Sequence, residues 1–315
     1  MRSAGMFRSA VLALALSSCV PAGEESDPRG ALGITTVPSP GSRGEPFVTA
    51  DGWTVHVEQL VVLAEIRAQA TDPASTDDFQ SLDSSYQGPY LFKASSSESF
   101  VAPGLPVGKG RVGLGFQTLL VDPRYPTPEA AGMMRETRGV EPSLVDRFFQ
   151  PADFGGPFDD MPDMTLFGPS ILLVARAERA QRNIRIDFTF RGANTLTPEI
   201  PLEIRANALN DVSVKAVAEN LFAGPLAFDA IRCVGGRAEL PTSRPSALHP
   251  VFDDLASADT DGDGVLSLAE LRHRRAPACE CCSPELKETV QVIYGSSMAS
   301  LLEQRSLRLF VPATP

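Results

Sequence analysis

"NIRIDFTFRG", residues 183–192, alternates without a fault: Ile184, Ile186, Phe188 and Phe190 on one side, Arg185, Asp187 and Thr189 on the other. Successive side chains of an extended chain point to opposite faces, so this stretch predicts a strand with one buried and one wetted face. Such alternation is typical of antiparallel sheets. Working outward, "GWTVHVEQLVVL" (52–63) sets Trp53, Val55 and Val57 against Thr54, His56 and Glu58. "GRVGLGFQTLLVD" (110–122), "SILLVARAE" (170–178) and "LAFDAIRCV" (226–234) continue the pattern. Turns carrying Pro and Gly, such as "APGLPVGKG" (102–110) and "TLTPEIP" (195–201), separate them. The expectation is a mainly β body over 47–240, an antiparallel β-sandwich. Two Ig-like halves, around 47–125 and 165–235, are one division that the spacing allows, although no internal repeat is evident.

Within this body, 122–165 reads as a long excursion from the sheet. "PSLVDRFFQ" (142–150) fits a short helix begun by Pro and Ser, and the remainder is too rich in proline for regular structure. The chain has 315 residues, 43% hydrophobic and 7% aromatic, enough to build a sizeable core. Its formal net charge is −11, and loss of Arg2 and Arg8 with a leader would make it −13. An acidic balance of this size argues against a nucleic-acid partner.

The first residues carry an address. Arg2 and Arg8 precede a short apolar run, "AVLALALSS" (10–18), and the run ends at "LSSC", with Leu16 three positions before Cys19. This resembles the lipobox of bacterial lipoproteins. The resemblance implies a signal peptide at 1–18, cleavage before Cys19, lipidation of its thiol, and a cell-envelope location. Val20, where Asp would mark inner-membrane retention in some bacteria, favours the outer membrane. The membrane is then a partner through the N-terminal lipid, while a protein or envelope partner is not given. Residues 19–46, rich in Pro, Gly and Ser, read as a flexible tether with a reach of roughly 25–30 Å.

"DTDGDGVLSLAEL" (259–271) concentrates carboxylates and glycines in one loop. From Asp259, positions one, three and five are Asp259, Asp261 and Asp263; six is Gly264, seven Val265, nine Ser267 and twelve Glu270. The spacing resembles the EF-hand family's calcium loop. That resemblance implies Ca2+ held by the three Asp carboxylates, the Val265 carbonyl, Ser267 acting through water, and Glu270. Phe252, Leu255 and Ala258 share one face of an entering helix, and "LSLAELRHRR" (266–275) begins an exiting one that Pro277 ends. Residues 246–283 therefore read as a small helical segment apart from the body. The site is single, because "STDDFQSLDSS" (75–85) lacks the glycine and the closing Glu. A lone exported site is expected to be structural, with an affinity on the order of 10⁻⁴–10⁻³ M.

Four cysteines remain beyond Cys19: Cys233, Cys279, Cys281 and Cys282. In an oxidising compartment disulfides are the default, with Cys233 joined to a member of the cluster. The alternative is a copper-handling lipoprotein, using those thiolates with the thioethers of Met133, Met134, Met161 and Met164. No GxSxG, SxxK, HExxH, P-loop or GxGxxG occurs, so an enzyme would need a hydrolytic site assembled from dispersed residues. Residues 284–315 read as a helix, "PELKETVQVIY", followed by a strand, "SLRLFV". The overall expectation is a calcium-binding envelope lipoprotein with a binding or structural role.

Overall fold

The computed structural model describes residues 28–70, 88–117, 120–121, 136–149, 166–192, 196–222, 232–234, 237–239, 252–273 and 298–313. The chain is mainly β, as the alternation requires. Its strands are β1 (Arg29–Pro38), β2 (Phe47–Val48), β3 (Thr54–Ala70), β4 (Tyr90–Lys93), β5 (Glu98–Pro106) and β6 (Gly108–Phe116). Next come β7 (Leu120–Val121), β8 (Glu136–Arg138), β9 (Leu166–Phe167), β10 (Ile171–Arg179), β11 (Arg182–Phe190) and β12 (Leu196–Ile204). The series ends with β13 (Leu209–Ala216), β14 (Arg232–Val234), β15 (Arg237–Glu239), β16 (Val265–Leu266) and β17 (Phe310–Pro312). One sheet has four strands in the order β17-β13-β1-β5, and the main path of a nine-stranded sheet runs β12-β6-β3-β10-β11-β16. Side chains of both sheets enter one buried cluster, including Leu32, Ile34 and Phe100 from the smaller and Val62, Leu173 and Phe188 from the larger.

The strand at 183–192 behaves as its pattern dictates. Ile184, Ile186, Phe188 and Phe190 are each 5% exposed or less, while Arg185 stays in water. β3 is subtler. Trp53, Val55 and Val57 enter the core, but further along it is Leu60, Val62, Ala64 and Ile66 that do so. The register against β10 slips between Val174 and Ala175, where Glu58 is the extra residue on β3. A bulge adds one residue and so flips which parity faces inward. Val61 and Leu63, now on the opposite face, are buried too. They meet Leu91, Leu172 and Val174 beneath Phe148 and Phe149. Burial on both faces explains why "LVVL" shows no alternation.

Several expectations are corrected. Residues 19–46 are not tether throughout, because β1 is a ten-residue strand at the centre of the smaller sheet. It pairs antiparallel with β5 and parallel with β13. That parallel pair, together with those of β4 with β8 and β11 with β16, makes the sheets mixed rather than purely antiparallel. The two proposed halves are interleaved: β3 lies beside β10, and β6 beside β12. Part of the excursion is ordered structure, since β8 pairs with β4 and a turn of helix (Pro142–Val145) leads into buried Phe148. The 246–283 segment is not set apart, because Phe252, Leu255, Leu266 and Leu271 belong to the shared core and β16 extends the larger sheet. At the C-terminal end, "SLRLFV" begins as a 3-10 turn (Ser306–Arg308) and only Phe310–Pro312 is strand.

The leader, Cys19, residues 71–87, the rest of the excursion and 284–294 lie outside the described residues. Among the described residues no helix is long and apolar enough to cross a membrane.

The position of β1 makes a stability prediction. Ile34 is 0% exposed and Val37, three residues on, is 39% exposed. Ile34→Ala should lower unfolding free energy by about 2–5 kcal/mol, whereas Val37→Ala should change it by less than about 0.5 kcal/mol. Denaturant titration followed by circular dichroism measures both, and equal effects would contradict a central β1.

Candidate metal centre

The 259–270 loop leaves a five-residue helix, Phe252–Ala256, and enters a six-residue one, Leu268–His273. Carboxylate oxygens of Asp259, Asp261 and Asp263 lie within 4.8 Å of one another, a cluster that could hold a metal ion. Three negative groups this close repel, by on the order of 1 kcal/mol per pair even in water. Backbone amides offset the repulsion. Asp259 accepts from Gly262 N at 2.9 Å and Gly264 N at 3.2 Å, Asp261 from Asp263 N at 3.1 Å, and Asp263 from Val265 N at 2.6 Å. The loop thus points its donors inward and its carboxylates at a common space.

Gly264 is required on two counts. Its φ is +77°, and a Cβ there would come within 3.1 Å of the Asn183 carbonyl. That close approach lets Arg185 N donate to Gly264 O at 2.8 Å and starts the parallel pairing of Val265–Leu266 with Arg185–Ile186. Leu266 is fully buried, which pins the loop to the sheet edge.

Glu270 stands outside the three-carboxylate group. Its Oε2 accepts from Ser267 N at 2.9 Å and Ser267 Oγ at 2.8 Å, and Ser267 Oγ accepts from Glu270 N at 3.2 Å. This reciprocal pair is a capping box for the exiting helix. Oε1 reaches back across the loop to accept from Thr260 N at 3.0 Å. Burial pushes the Glu270 carboxyl upward, but the bonds from Ser267, Thr260 and Asp261 outweigh it and hold the group below the usual carboxylate range. Of the six ligands expected from the sequence, the structure gathers three carboxylates. It gives Ser267 and Glu270 a capping role beside them, and leaves Val265, whose carbonyl is the sixth expected ligand, 40% exposed.

The loop's seat is a second cluster with no local signal in the sequence. Trp53, fully buried just before β3, donates from Nε1 to Asp253 at 3.0 Å and packs on Phe252 with centroids 5.0 Å apart. Arg179 pairs with Asp253 at 2.5 Å and donates to the Asp51 carbonyl at 2.9 Å. Asp51 in turn accepts from Asp253 N at 2.7 Å. Arg182 donates to the Ala256 carbonyl at 3.3 Å, near the helix end. The guanidinium carbons of Arg179 and Arg182 lie 4.8 and 5.7 Å from the Trp53 ring centre. Both arginines flank the β10–β11 turn, so one hairpin tip grips the helix that feeds the loop.

Cys279, Cys281, Cys282 and the four excursion methionines lie outside the described residues, as does the Cys233 side chain. The disulfide and copper arrangements accordingly find no geometry here. No protein-family model matches the chain, and searches among curated proteins and solved structures return no match.

The seat predicts a pH dependence. The Arg179 hydrogen bond, chiefly, with those of Trp53 and the nearby positive charges, holds the Asp253 carboxyl below its ordinary value against an opposing push from burial. A depressed carboxyl stabilises the fold fully above its unfolded pKa, near pH 4, and the contribution is lost as pH falls through the folded value. The Asp253 side chain is 41% exposed, so solvent screens the pair and the contribution should stay below about 1 kcal/mol. Asp253→Asn should therefore cost stability at pH 7 and flatten the acid limb below pH 4. Unfolding curves from pH 7 to 3, read by Trp53 fluorescence, test both effects.

Proposed function

We propose that this chain is a calcium-binding, lipid-anchored protein of the bacterial envelope, whose body is a β-sandwich with a binding or structural role. The observation that carries the calcium reading is the convergence of Asp259, Asp261 and Asp263 within 4.8 Å, in a loop with EF-hand spacing. Calcium is a hard cation that takes six to eight oxygen ligands, and this donor set is all oxygen. Asp259, Asp261 and Asp263 would hold it, with the Val265 carbonyl, Ser267 and Glu270 as the remaining donors. What the ion supplies is positive charge that relieves the crowding of the carboxylates. A second EF-hand would ordinarily brace such a loop, and β11 supplies the corresponding strand contact through Arg185 and Ile186. A loop braced by a sheet suits a structural ion better than a switch. The anchor reading rests on "LSSC" after the apolar run.

Calorimetric titration should give a dissociation constant on the order of 10⁻⁴–10⁻³ M, raised roughly tenfold or more by Asp261→Asn or Glu270→Gln. At a hundredfold excess over that constant, calcium should add about 2.7 kcal/mol to stability. Hydrogen exchange should locate the added protection in 252–273 and along β11. No heat, and no change in protection, would refute the calcium reading.

Cys19→Ser should move the protein from the detergent phase to the aqueous phase on phase partition. Unchanged partitioning would refute the anchor reading.

A further inference from the structure

We propose that the end of the body at which β1 begins lies against the lipid surface, with the metal loop directed away from it. This rests on the anchor reading and adds the surface that meets the membrane. β1 starts at Arg29, so ten Cα–Cα steps separate it from Cys19. Ten steps span at most about 36 Å when fully extended. The seventeen residues of β3, by contrast, rise on the order of 50 Å. A leash this short against a body this long fixes which end is near the anchor.

That end is built from three pieces held together by backbone contacts. Arg29 pairs with Pro106 and donates to the Gly104 carbonyl at 2.7 Å. Asn207 N donates to the Arg29 carbonyl at 2.9 Å. Gly30 packs so tightly on the 204–205 turn that a Cβ would come within 2.3 Å of the Arg205 carbonyl. The β5–β6 and β12–β13 turns therefore surround the start of β1.

The surface they present is apolar at its tips and basic around them. Val107 is 42% exposed and Leu209 is 54% exposed, and Arg29, Lys109 and Arg205 are exposed beside them. Among the described residues two exposed carboxylates accompany them, Glu203 opposite Lys109 and Asp211 opposite Gly33. Among the described residues the patch carries three cations and two carboxylates, on a chain that is strongly negative overall. Exposed apolar side chains within a basic rim suit insertion among anionic headgroups. The opposite end carries the metal loop. β3 runs from Ala70, paired with Gly110 at the basic end, to Thr54, paired with Glu178 beside the hairpin tip that grips the helix Phe252–Ala256.

The test uses the full lipidated chain in vesicles of phosphatidylethanolamine and phosphatidylglycerol. An environment-sensitive fluorescent amino acid is placed at Val107, Leu209 or, as a control on the far hairpin turn, Gln181. Lipid-borne quenchers should quench the probes at 107 and 209 and spare the probe at 181. Arg205→Gln should reduce quenching at 107 by about fivefold, the weight of one charge near an anionic surface. Equal quenching at the three positions, quenching at 181 alone, or none at any of them would overturn the proposal while acylated Cys19, read by mass, leaves the anchor reading standing. An unacylated Cys19 would overturn both.

Discussion

The pairing of β1 with β13 is the constraint on which the architecture turns. It joins Ala31–Pro38 to Leu209–Ala216 in parallel, across most of the described chain. Without β1 in place, β13 and β5 have no common neighbour and the smaller sheet has no middle. Few apolar residues achieve this: Leu32 and Ile34 face the core, and the next inward position is Thr36. Thr36 is tolerated at full burial because its hydroxyl accepts from Glu98 N at 3.1 Å and lies 3.3 Å from the Glu98 carbonyl. Contacts this distant in sequence are slow to form. The smaller sheet can close only after residues beyond 209 are available.

The metal loop depends on the same logic of distant support. Its own amides shape it, but its orientation comes from a hairpin about eighty residues earlier and from a tryptophan about two hundred residues earlier. Asp253 is the joint, bonded at once to Trp53, Arg179 and Asp51. The aromatic rings of Trp53, Phe252, Phe222 and Phe47 form a continuous chain under that joint, with successive centroids 5.0, 5.6 and 6.0 Å apart. The loop is therefore fixed to the sheet by packing as well as by charge, and its carboxylates converge on a rigid base.

How much of this the sequence discloses depends on where the stabilising partners sit. β11 is legible because one face is core and the other water, so composition alternates. The second half of β3 hides its period, since the Phe148 and Phe149 segment covers its outer face. β1 is read as tether because glycine, threonine and proline dominate it, although Leu32, Ile34 and Thr36 do keep a period of two. The glycines that mislead are there for contact: Gly33 leaves room for the Asp211 side chain, which a Cβ would meet at 2.0 Å. The Asp spacing of the loop is legible because every group that shapes it is local. The seat is not, because nothing near Asp253 announces Arg179 or Trp53.

One further property follows from the two-residue strand at Val265–Leu266. A nine-stranded sheet that ended at β11 would present a row of unpaired amides and carbonyls, a template for pairing with another molecule. β16 occupies only Arg185 and Ile186 of that edge, too short to recruit a neighbour itself. Behind it stands a loop of clustered carboxylates, which an approaching strand of this acidic protein would meet first. The opposite edge, β12, carries Pro198 and Pro201, each lacking the amide that a ladder needs. Among the described residues, both ends of the path from β12 to β16 are thus poor templates for a further strand, one through electrostatic repulsion and the other through missing donors.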